Sequence, residues 1–466
     1  MTVIHRSIFK KYDIRGTAEG NDAPINEDVA RLVGQALATY LQRFENTERV
    51  VVGRDNRRTS YLLHKAVIDG LVMGGCHVRD LGLVSTPVMY WHAIHQSTPD
   101  AACGGLIVTG SHVGPEYNGF KMCAGSRTIA GEQILLLRSF VENGGLSFGQ
   151  GSVQVDFSAY RQYINDLEPR LKTSRPLKVV IDAGNGTGGL FAPTLFKKWG
   201  HSVEACLFCQ PDGNFPNHPP DPHNPEDLQA LGEKVREVKA DVGVAFDGDA
   251  DRIAVVDEQG APIASDRILA LLARDMLKRH PGASVVSDVM SSQVLLDEIK
   301  KAGGLPFMWT CGYAPIKAKM VETHALLAGE MSGHIFMAED YYGFDDGFFV
   351  AGRLLQLLAA SSQPLSALNA QMPQRHITPE YRPACPEKDK HDIVEAVRDM
   401  LADKGEIVEI DGLRVQFKHG WGVLRASNTE PALSLRFEGD SENSVREIKQ
   451  LFVDALKKFP QVAAFA

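Results

Sequence analysis

One pattern recurs three times along the chain and limits the folds open to it. An apolar strand ends in aspartate, a helix-length stretch follows, then glycine and a second strand. The first copy runs from Val50-Val51-Val52-Gly53-Arg54-Asp55, through LLHKAVIDGLVM, to Gly74-Gly75 and HVRDLGLV. The second runs from Val179-Val180-Ile181-Asp182, through LFAPTLFKKW, to Gly200 and SVEACLF. The third runs from Val285-Val286-Ser287-Asp288, through SQVLLDEIKK, to Gly303-Gly304 and LPFMWT. Short β-rich runs alternating with helical spacing read as βαβ units, and the glycines fit helix C-caps. Three matched copies predict three related α/β domains.

The last hundred residues break the pattern. EIVEIDGLRVQF, GWGVLRAS and ALSLRFEG read as strands, flanked by the helical stretches DIVEAVRDMLADK and SVREIKQLFVDALKKF, which predicts an α+β domain. The expected boundaries are 1–152, 153–260, 261–370 and 371–466. The segment 361–388 reads as a linker. The proline-rich stretch 210–228 reads as irregular loop without chemistry.

Composition narrows the partners. A net charge of −9, a pI near 5.9 and no dense Lys/Arg run argue against nucleic acid and anionic membranes. No apolar run reaches the roughly 18 residues of a membrane span, and the N-terminus lacks a signal-peptide core. Seven scattered cysteines are no disulfide framework and point to a reducing, cytoplasmic setting. The lone pair Cys206 and Cys209 cannot close a structural zinc site and reads as two strand cysteines.

Four segments carry chemistry. In AFDGDADRIAVVDEQG, Asp247, Asp249 and Asp251 would repel one another on a straight strand, but on a loop they can converge on a hard cation. An EF-hand is excluded. Its sixth position is Arg252 rather than glycine, and the strand-like IAVV follows where a helix should. In GGLIVTGSHVGPEYNGFKM, a strand ends in Thr109-Gly110-Ser111-His112. Ser111 is a candidate nucleophile or phosphate carrier, and Lys121 a candidate for charge or proton work. Glu330, Ser332 and His334 share a glycine-flanked turn suited to sugar hydroxyls. Arg425, Ser427, Asn428 and Thr429, with Arg436 beyond, make an anion cradle.

Together and in this order, these segments resemble the α-D-phosphohexomutase superfamily, closest to its phosphomannomutase/phosphoglucomutase group. FKKYDIRG, PDGNFPNHPPDP, GFDDG at 343–347 and DGLRV at 411–415 extend the resemblance over essentially the whole chain. It implies four domains around a central cleft and a phosphoryl group carried on Ser111. It implies Mg²⁺ held by Asp247, Asp249, Asp251 and a Ser111 phosphate oxygen, and a hexose 1,6-bisphosphate intermediate or activator. Glu330, Ser332 and His334 would meet the sugar, and Arg425, Ser427, Asn428 and Thr429 its distal phosphate. Arg15, His112, Lys121 and Arg252 would serve charge stabilisation and proton transfer, with Lys121 favoured as the proton acceptor, and Tyr12 would line the cleft. Partners would be hexose phosphates, and the assembly a monomer or homodimer. The alternatives are a phosphoglucosamine mutase, a bisphosphate synthase or phosphatase, and a non-catalytic sugar-phosphate sensor. Arg-x-Ser-Asn-Thr rather than Arg-x-Ser-Gly-Thr favours glucose or mannose over glucosamine. Val113-Gly114 stand where the family usually has Asn-Pro. Met290, Gln293 and the segment Thr310-Cys311-Gly312-Tyr313 stand where cleft cations are usual, which predicts a cleft poorer in positive charge.

Overall fold

In the computed structural model, which describes residues 4–20, 22–427 and 430–465, each repeat is a parallel strand pair bridged by a helix. Arg49–Arg54 pairs with His77–Leu83, Lys178–Asp182 with Ser202–Leu207, and Ser284–Asp288 with Leu305–Trp309. Each unit then adds the same two strands. A third strand lies parallel to the first on its other side, and a fourth returns antiparallel to the third. These are Gly104–Val108 with Tyr117–Ala124, Val242–Phe246 with Ile253–Val256, and Leu327–Gly329 with Ile335–Met337. The hairpin joining them holds a chemical segment in all three units: the serine loop, the aspartate loop and the Glu330–His334 turn. In open α/β sheets, ligands bind beyond the carboxyl ends of the strands, and these hairpins stand there.

The strand-ending aspartates predicted by the repeat hold these loops. Asp55 accepts from Gly110 N at 3.1 Å, and Asp288 accepts from Met331 N at 2.9 Å. Asp182 accepts from Gly184 N and faces His218 of the proline-rich loop. An ionised or hydrogen-bonding carboxylate at the end of a buried strand satisfies N–H groups that would otherwise be orphaned.

One apolar cluster runs through the first three units, from Val51 and Tyr90 through Phe246 to Leu354 and Leu358. They therefore pack as one body. The fourth unit is an antiparallel sheet in the order His376–Ile377, Leu433–Gly439, Gly420–Ala426, Leu413–Phe417, Glu406–Val408. Helices Lys390–Leu401 and Glu442–Leu456 cover it over a separate core that includes Val397, Phe437 and Phe452.

Two expectations are corrected. Strand Ser152–Val155 pairs with His77–Leu83, so the first sheet extends past residue 152. The expected linker contains helix Leu365–Ala370 and strand His376–Ile377, which joins the last sheet. Residues 210–228 hold no helix or strand, as their prolines dictate. Cys206 lies on strand Ser202–Leu207 and Cys209 just beyond it, and all seven cysteines are free.

The fourth unit is fixed to the third by Arg414. Its guanidinium is fully buried, stacks 3.9 Å from the Trp421 ring centroid, and donates to Val289 O at 2.7 Å and Ser291 O at 2.9 Å. Desolvation lowers its pKa to about 10. Replacing it leaves two buried carbonyls without donors, at about 1–3 kcal/mol each. Arg414→Met is therefore expected to lower the midpoint of the first thermal unfolding transition by several degrees, read by differential scanning calorimetry.

Candidate active site

The serine loop is built on Arg57, which composition could not single out. Its buried side chain donates to Asp55, to Ser111 O at 2.8 Å, to Val113 O at 2.6 Å, to Tyr117 O at 3.1 Å and to Gly114 O. The loop is thus held through backbone carbonyls, those of Val113 and Gly114 among them. Ser111 sits at φ +51°, a left-handed conformation that non-glycine residues adopt at a cost, and it is almost wholly buried.

From that position Ser111 Oγ donates to Asp247 Oδ2 at 2.9 Å, joining the first unit to the second. Gly248 permits the approach, because a Cβ there would stand 2.4 Å from Ser111 O. Asp247, Asp249 and Asp251 are fully buried, with one oxygen of each within 4.8 Å of the others. Asp249 Oδ2 accepts from Lys121 Nζ at 2.7 Å and Thr86 Oγ1 at 2.6 Å, and Asp251 Oδ2 also accepts from Lys121. Asp249 Oδ1 and Asp251 Oδ1 have no hydrogen-bond partner. The strand Ile253–Val256 follows, which agrees with rejecting an EF-hand.

Burial and mutual repulsion push Asp247 well above the usual carboxylate range and raise Asp251, while Lys121 holds Asp249 ionised against its burial. Burial alone would lower the Lys121 pKa, but Asp249, Asp251 and Asp247 outweigh it and raise it. The pairing with Asp249 and Asp251 runs against the expectation that Lys121 accepts the proton.

The third unit's loop completes the wall. Arg252 Nε donates to His334 Nε2 at 2.9 Å, so that nitrogen bears no proton. His334 Nδ1 lies 2.9 Å from Asp345 Oδ2, at an angle too poor for a good hydrogen bond. GFDDG now has a physical reading. Asp345 faces His334, and Asp346 caps helix Gly347–Ala360 through Phe348 N and Phe349 N. A Cβ on Gly347 would meet Ala250 O at 2.8 Å. Burial, then Asp288, push the Glu330 carboxyl up to about 8, against the Gly312 N–H that favours its anion. Ser332 is half-buried on the same turn. His112 approaches Ser111 Oγ at 3.4 Å. Its place deep in the cleft, beside Arg252 and Arg15, holds its pKa well below the ordinary value.

Arg15 pairs with Asp13 at 2.6 Å, and Tyr12 OH donates to Cys311 O at 2.8 Å across the cleft. In the fourth unit Arg425 donates through Nε and Nη2 to Asp411 Oδ2, which also accepts from Cys311 N at 3.1 Å. Ser427 O accepts from Lys390 Nζ at 2.6 Å, and Ser427 Oγ accepts from Glu430 N. Asn428 and Thr429 lie outside the described residues. Arg436 shares a strand face with Arg425, but donates to Met290 O at 2.8 Å and so holds the junction with the third unit. The proline-rich loop, given no chemistry from its sequence, buttresses the aspartate loop. Pro220 O accepts from Gly248 N at 3.2 Å, and His223 abuts Gly333.

Sequence reasoning brought together Ser111, the three aspartates, Lys121, Arg252, Glu330 and His334, and the structure joins them in one buried cluster. It missed Arg57, Thr86, Asp345 and Asp411. For Asp345 and Asp411 the signal was present in GFDDG and DGLRV.

The comparisons agree with this geometry. Models of phosphoglucomutase/phosphomannomutase alpha/beta/alpha domains I, II and III match residues 6–143, 160–260 and 264–376, and that of the C-terminal domain matches residues 380–455. A phosphomannomutase/phosphoglucomutase of Pseudomonas aeruginosa is 44% identical over 454 residues, 97% of this chain and 96% of that protein. A phosphoglucomutase of Neisseria meningitidis serogroup A is 43% identical over 470 residues, 99% of each chain. The crystal structure of a phosphoglucomutase/phosphomannomutase family protein from Burkholderia thailandensis superposes with a TM-score of 0.91 at 40% identity, covering 99% of this chain and 100% of that one. With four domain models matched in order and full-length relatives above 40% identity, the chain belongs to the phosphoglucomutase/phosphomannomutase family.

Proposed function

We propose that this chain interconverts hexose 1-phosphates and hexose 6-phosphates, of glucose and mannose, through a phosphoryl group carried on Ser111 and a hexose 1,6-bisphosphate intermediate. The observation that carries the reading is the meeting of Ser111 Oγ with Asp247 Oδ2 at 2.9 Å, from units far apart in sequence, beside a buried lysine. The names of the full-length relatives support it. Seven free cysteines support a cytoplasmic setting. No helix among the described residues is long and apolar enough to cross a membrane.

Asp247, Asp249 and Asp251 fit Mg²⁺. They are all-oxygen donors, mutually close, and two of their oxygens lack partners. Mg²⁺ bound there would neutralise charge on the transferring phosphoryl group. The protein's own groups do the rest. A sugar hydroxyl oxygen attacks phosphorus in line, the bond from phosphorus to Ser111 Oγ breaks, and Lys121 stabilises the charge. Arg252 turns toward the phosphoryl oxygens and frees the His334 Nε2 lone pair to take the hydroxyl proton, with Asp345 beside Nδ1 to stabilise the resulting cation. Glu330, protonated near neutral pH, can donate to a sugar hydroxyl. Arg425 and Ser427, with Asn428 and Thr429, bind the phosphate that does not react. The bisphosphate then reverses in the cleft, and its other phosphate returns to Ser111. Burial of Ser111 keeps water from its phosphate during that turn.

Three outcomes test the reading. Ser111→Ala is expected to abolish turnover in a coupled assay and by phosphorus NMR while sugar-phosphate binding persists in calorimetry; near-normal turnover removes the serine relay. Asp249→Asn is expected to weaken Mg²⁺ binding by about 10- to 100-fold in a metal titration, and an unchanged titration removes Asp249 from the site. Because the folded Glu330 pKa lies above its unfolded value, its contribution to stability is complete below about pH 4.5 and lost as pH rises through about 8. Glu330→Gln should therefore gain Tm relative to wild type between pH 5 and about 8, whereas parallel melting curves across that range would show that Glu330 does not titrate there.

A further inference from the structure

Strand Ser202–Leu207 is an edge of the second sheet, and its last residues bring two thiols together. On a straight strand, residues three apart point to opposite faces. Here the chain bends. Ala205 and Leu207 pack against the cluster of Val180, Leu231 and Val235, so Cys206 between them turns to the other face. Phe208 then takes φ +50°, in the left-handed region. Cys209 packs against the cluster that holds Val179, Ile181 and Phe191, which lies on the face Cys206 has turned to. The two thiols meet there in a hydrogen bond donated by Cys209 Sγ.

Cys206 is the one exposed cysteine of the seven. The hydrogen bond from Cys209, helped by Lys197 against partial burial, holds its pKa below the ordinary thiol value. The same bond, and then burial, raise that of Cys209. Elsewhere burial pushes the thiols of Cys76, Cys103 and Cys123 up to about 12. An exposed thiol that ionises readily, with a second thiol behind it, is the arrangement that thiol–disulfide exchange requires. A zinc site would need further ligands. Neither sulfur belongs to a group of three His, Cys, Asp or Glu ligand atoms within 4.8 Å of one another among the described residues.

The bend around Cys209 also carries a support of the aspartate loop. Phe208 O accepts from Asn185 N at 2.8 Å, and Gln210 O accepts from Asn185 Nδ2 at 2.9 Å. Two residues on, Thr187 N donates to Gly248 O at 2.9 Å. We propose that Cys206 and Cys209 are a reversible dithiol–disulfide pair whose oxidation weakens cation binding at the aspartate loop; the second half rests on the Mg²⁺ site proposed above. The oxidant is a small-molecule disulfide. The Cys206 thiolate attacks one of its sulfurs and expels the other as a thiolate. Cys209 Sγ gives its proton to solvent, attacks Cys206 Sγ and expels the second thiolate. Two protein thiols are thus oxidised, and the small disulfide is reduced to two thiols. The new bond fixes the separation of residues 206 and 209. It thereby moves the Phe208 and Gln210 carbonyls that hold Asn185, and through Thr187 the aspartate loop.

The test uses the full-length protein and oxidised glutathione. Wild type should form a 206–209 disulfide without retained glutathione, identified by mass spectrometry and reversed by dithiothreitol. Cys209→Ser should stop at the mixed disulfide on Cys206, and Cys206→Ser should remain unmodified at Cys209. Oxidation should weaken Mg²⁺ binding to wild type at least about fivefold in calorimetry, and saturating Mg²⁺ should shift the dithiol–disulfide equilibrium toward the dithiol by the same factor. Both serine variants should keep the affinity of the reduced wild type under the same treatment. A wild type that retains glutathione on Cys206, or a Cys206→Ser variant modified at Cys209, overturns the thiol pair. Equal Mg²⁺ affinity in the two forms overturns the coupling. Reduced protein that binds no Mg²⁺ overturns the cation site and the coupling together, a result the mass measurement keeps apart from failure of the thiol pair.

Discussion

Asp247, Asp249 and Asp251 lie buried within 4.8 Å of one another, and the rest of the cleft is arranged around the charge they bring. Three carboxylates against the single ammonium of Lys121 leave an excess of negative charge that a low-dielectric interior does not tolerate. Burial and repulsion from Asp249 and Asp251 push the Asp247 carboxyl upward. Part of the excess is met from outside, by Arg252 3.8 Å from Asp247 and by the Ser111 hydroxyl. A divalent cation would offset what remains, because it would supply two charges to the unpartnered Asp249 Oδ1 and Asp251 Oδ1. On the proposed function, a cation held beside Ser111 would neutralise phosphate oxygens there.

That cluster could form only because one topological position was used three times. The hairpin between the third and fourth strands of each unit projects from the carboxyl end of its sheet. Three such sheets packed through one apolar core bring three hairpins face to face. At Gly248 and Gly347, among other positions, the contacts are too close for ordinary side chains. Gly248 lets the aspartate loop touch Ser111 O, and Gly347 lets a helix start against Ala250 O. A methyl group at either position would push apart the loops whose contact makes the site.

The sequence revealed this architecture where the signal was local. Each repeat's helix and two strands are contiguous, so hydrophobic period and terminal glycines were enough to find them. The carboxylate trio and the serine loop were legible because unpaired polar residues at strand ends are expensive without a task. The remainder depends on partners distant in the chain. Arg57 orders the serine loop through backbone carbonyls, which no residue pattern records. The surroundings of Lys121 were not legible because its partners are aspartates more than 120 residues away. The edge strand Ser152–Val155 was missed because four residues show too little alternation, and its identity lies in backbone pairing.

The departures at Met290, Gln293 and Cys311 looked like cations missing from the cleft, and their surroundings give them another meaning. Met290 and Cys311 pack with Val289, Trp421 and Val423 in a small apolar cluster between the third and fourth units. Gln293 turns its backbone N–H to Glu438 and its side chain to Asp297. Around the cluster, Arg414 and Arg436 of the fourth unit donate to the carbonyls of 289–291, and Asp411 accepts from Cys311 N. Positive charge is thus supplied to the third unit's loop from the fourth unit. Asp411 ties the fourth unit to the third, because the carboxylate that grips Arg425 also grips Cys311 N, and the Cys311 carbonyl holds Tyr12 of the first unit. These hydrogen bonds run as one chain from the fourth unit through the third to the first.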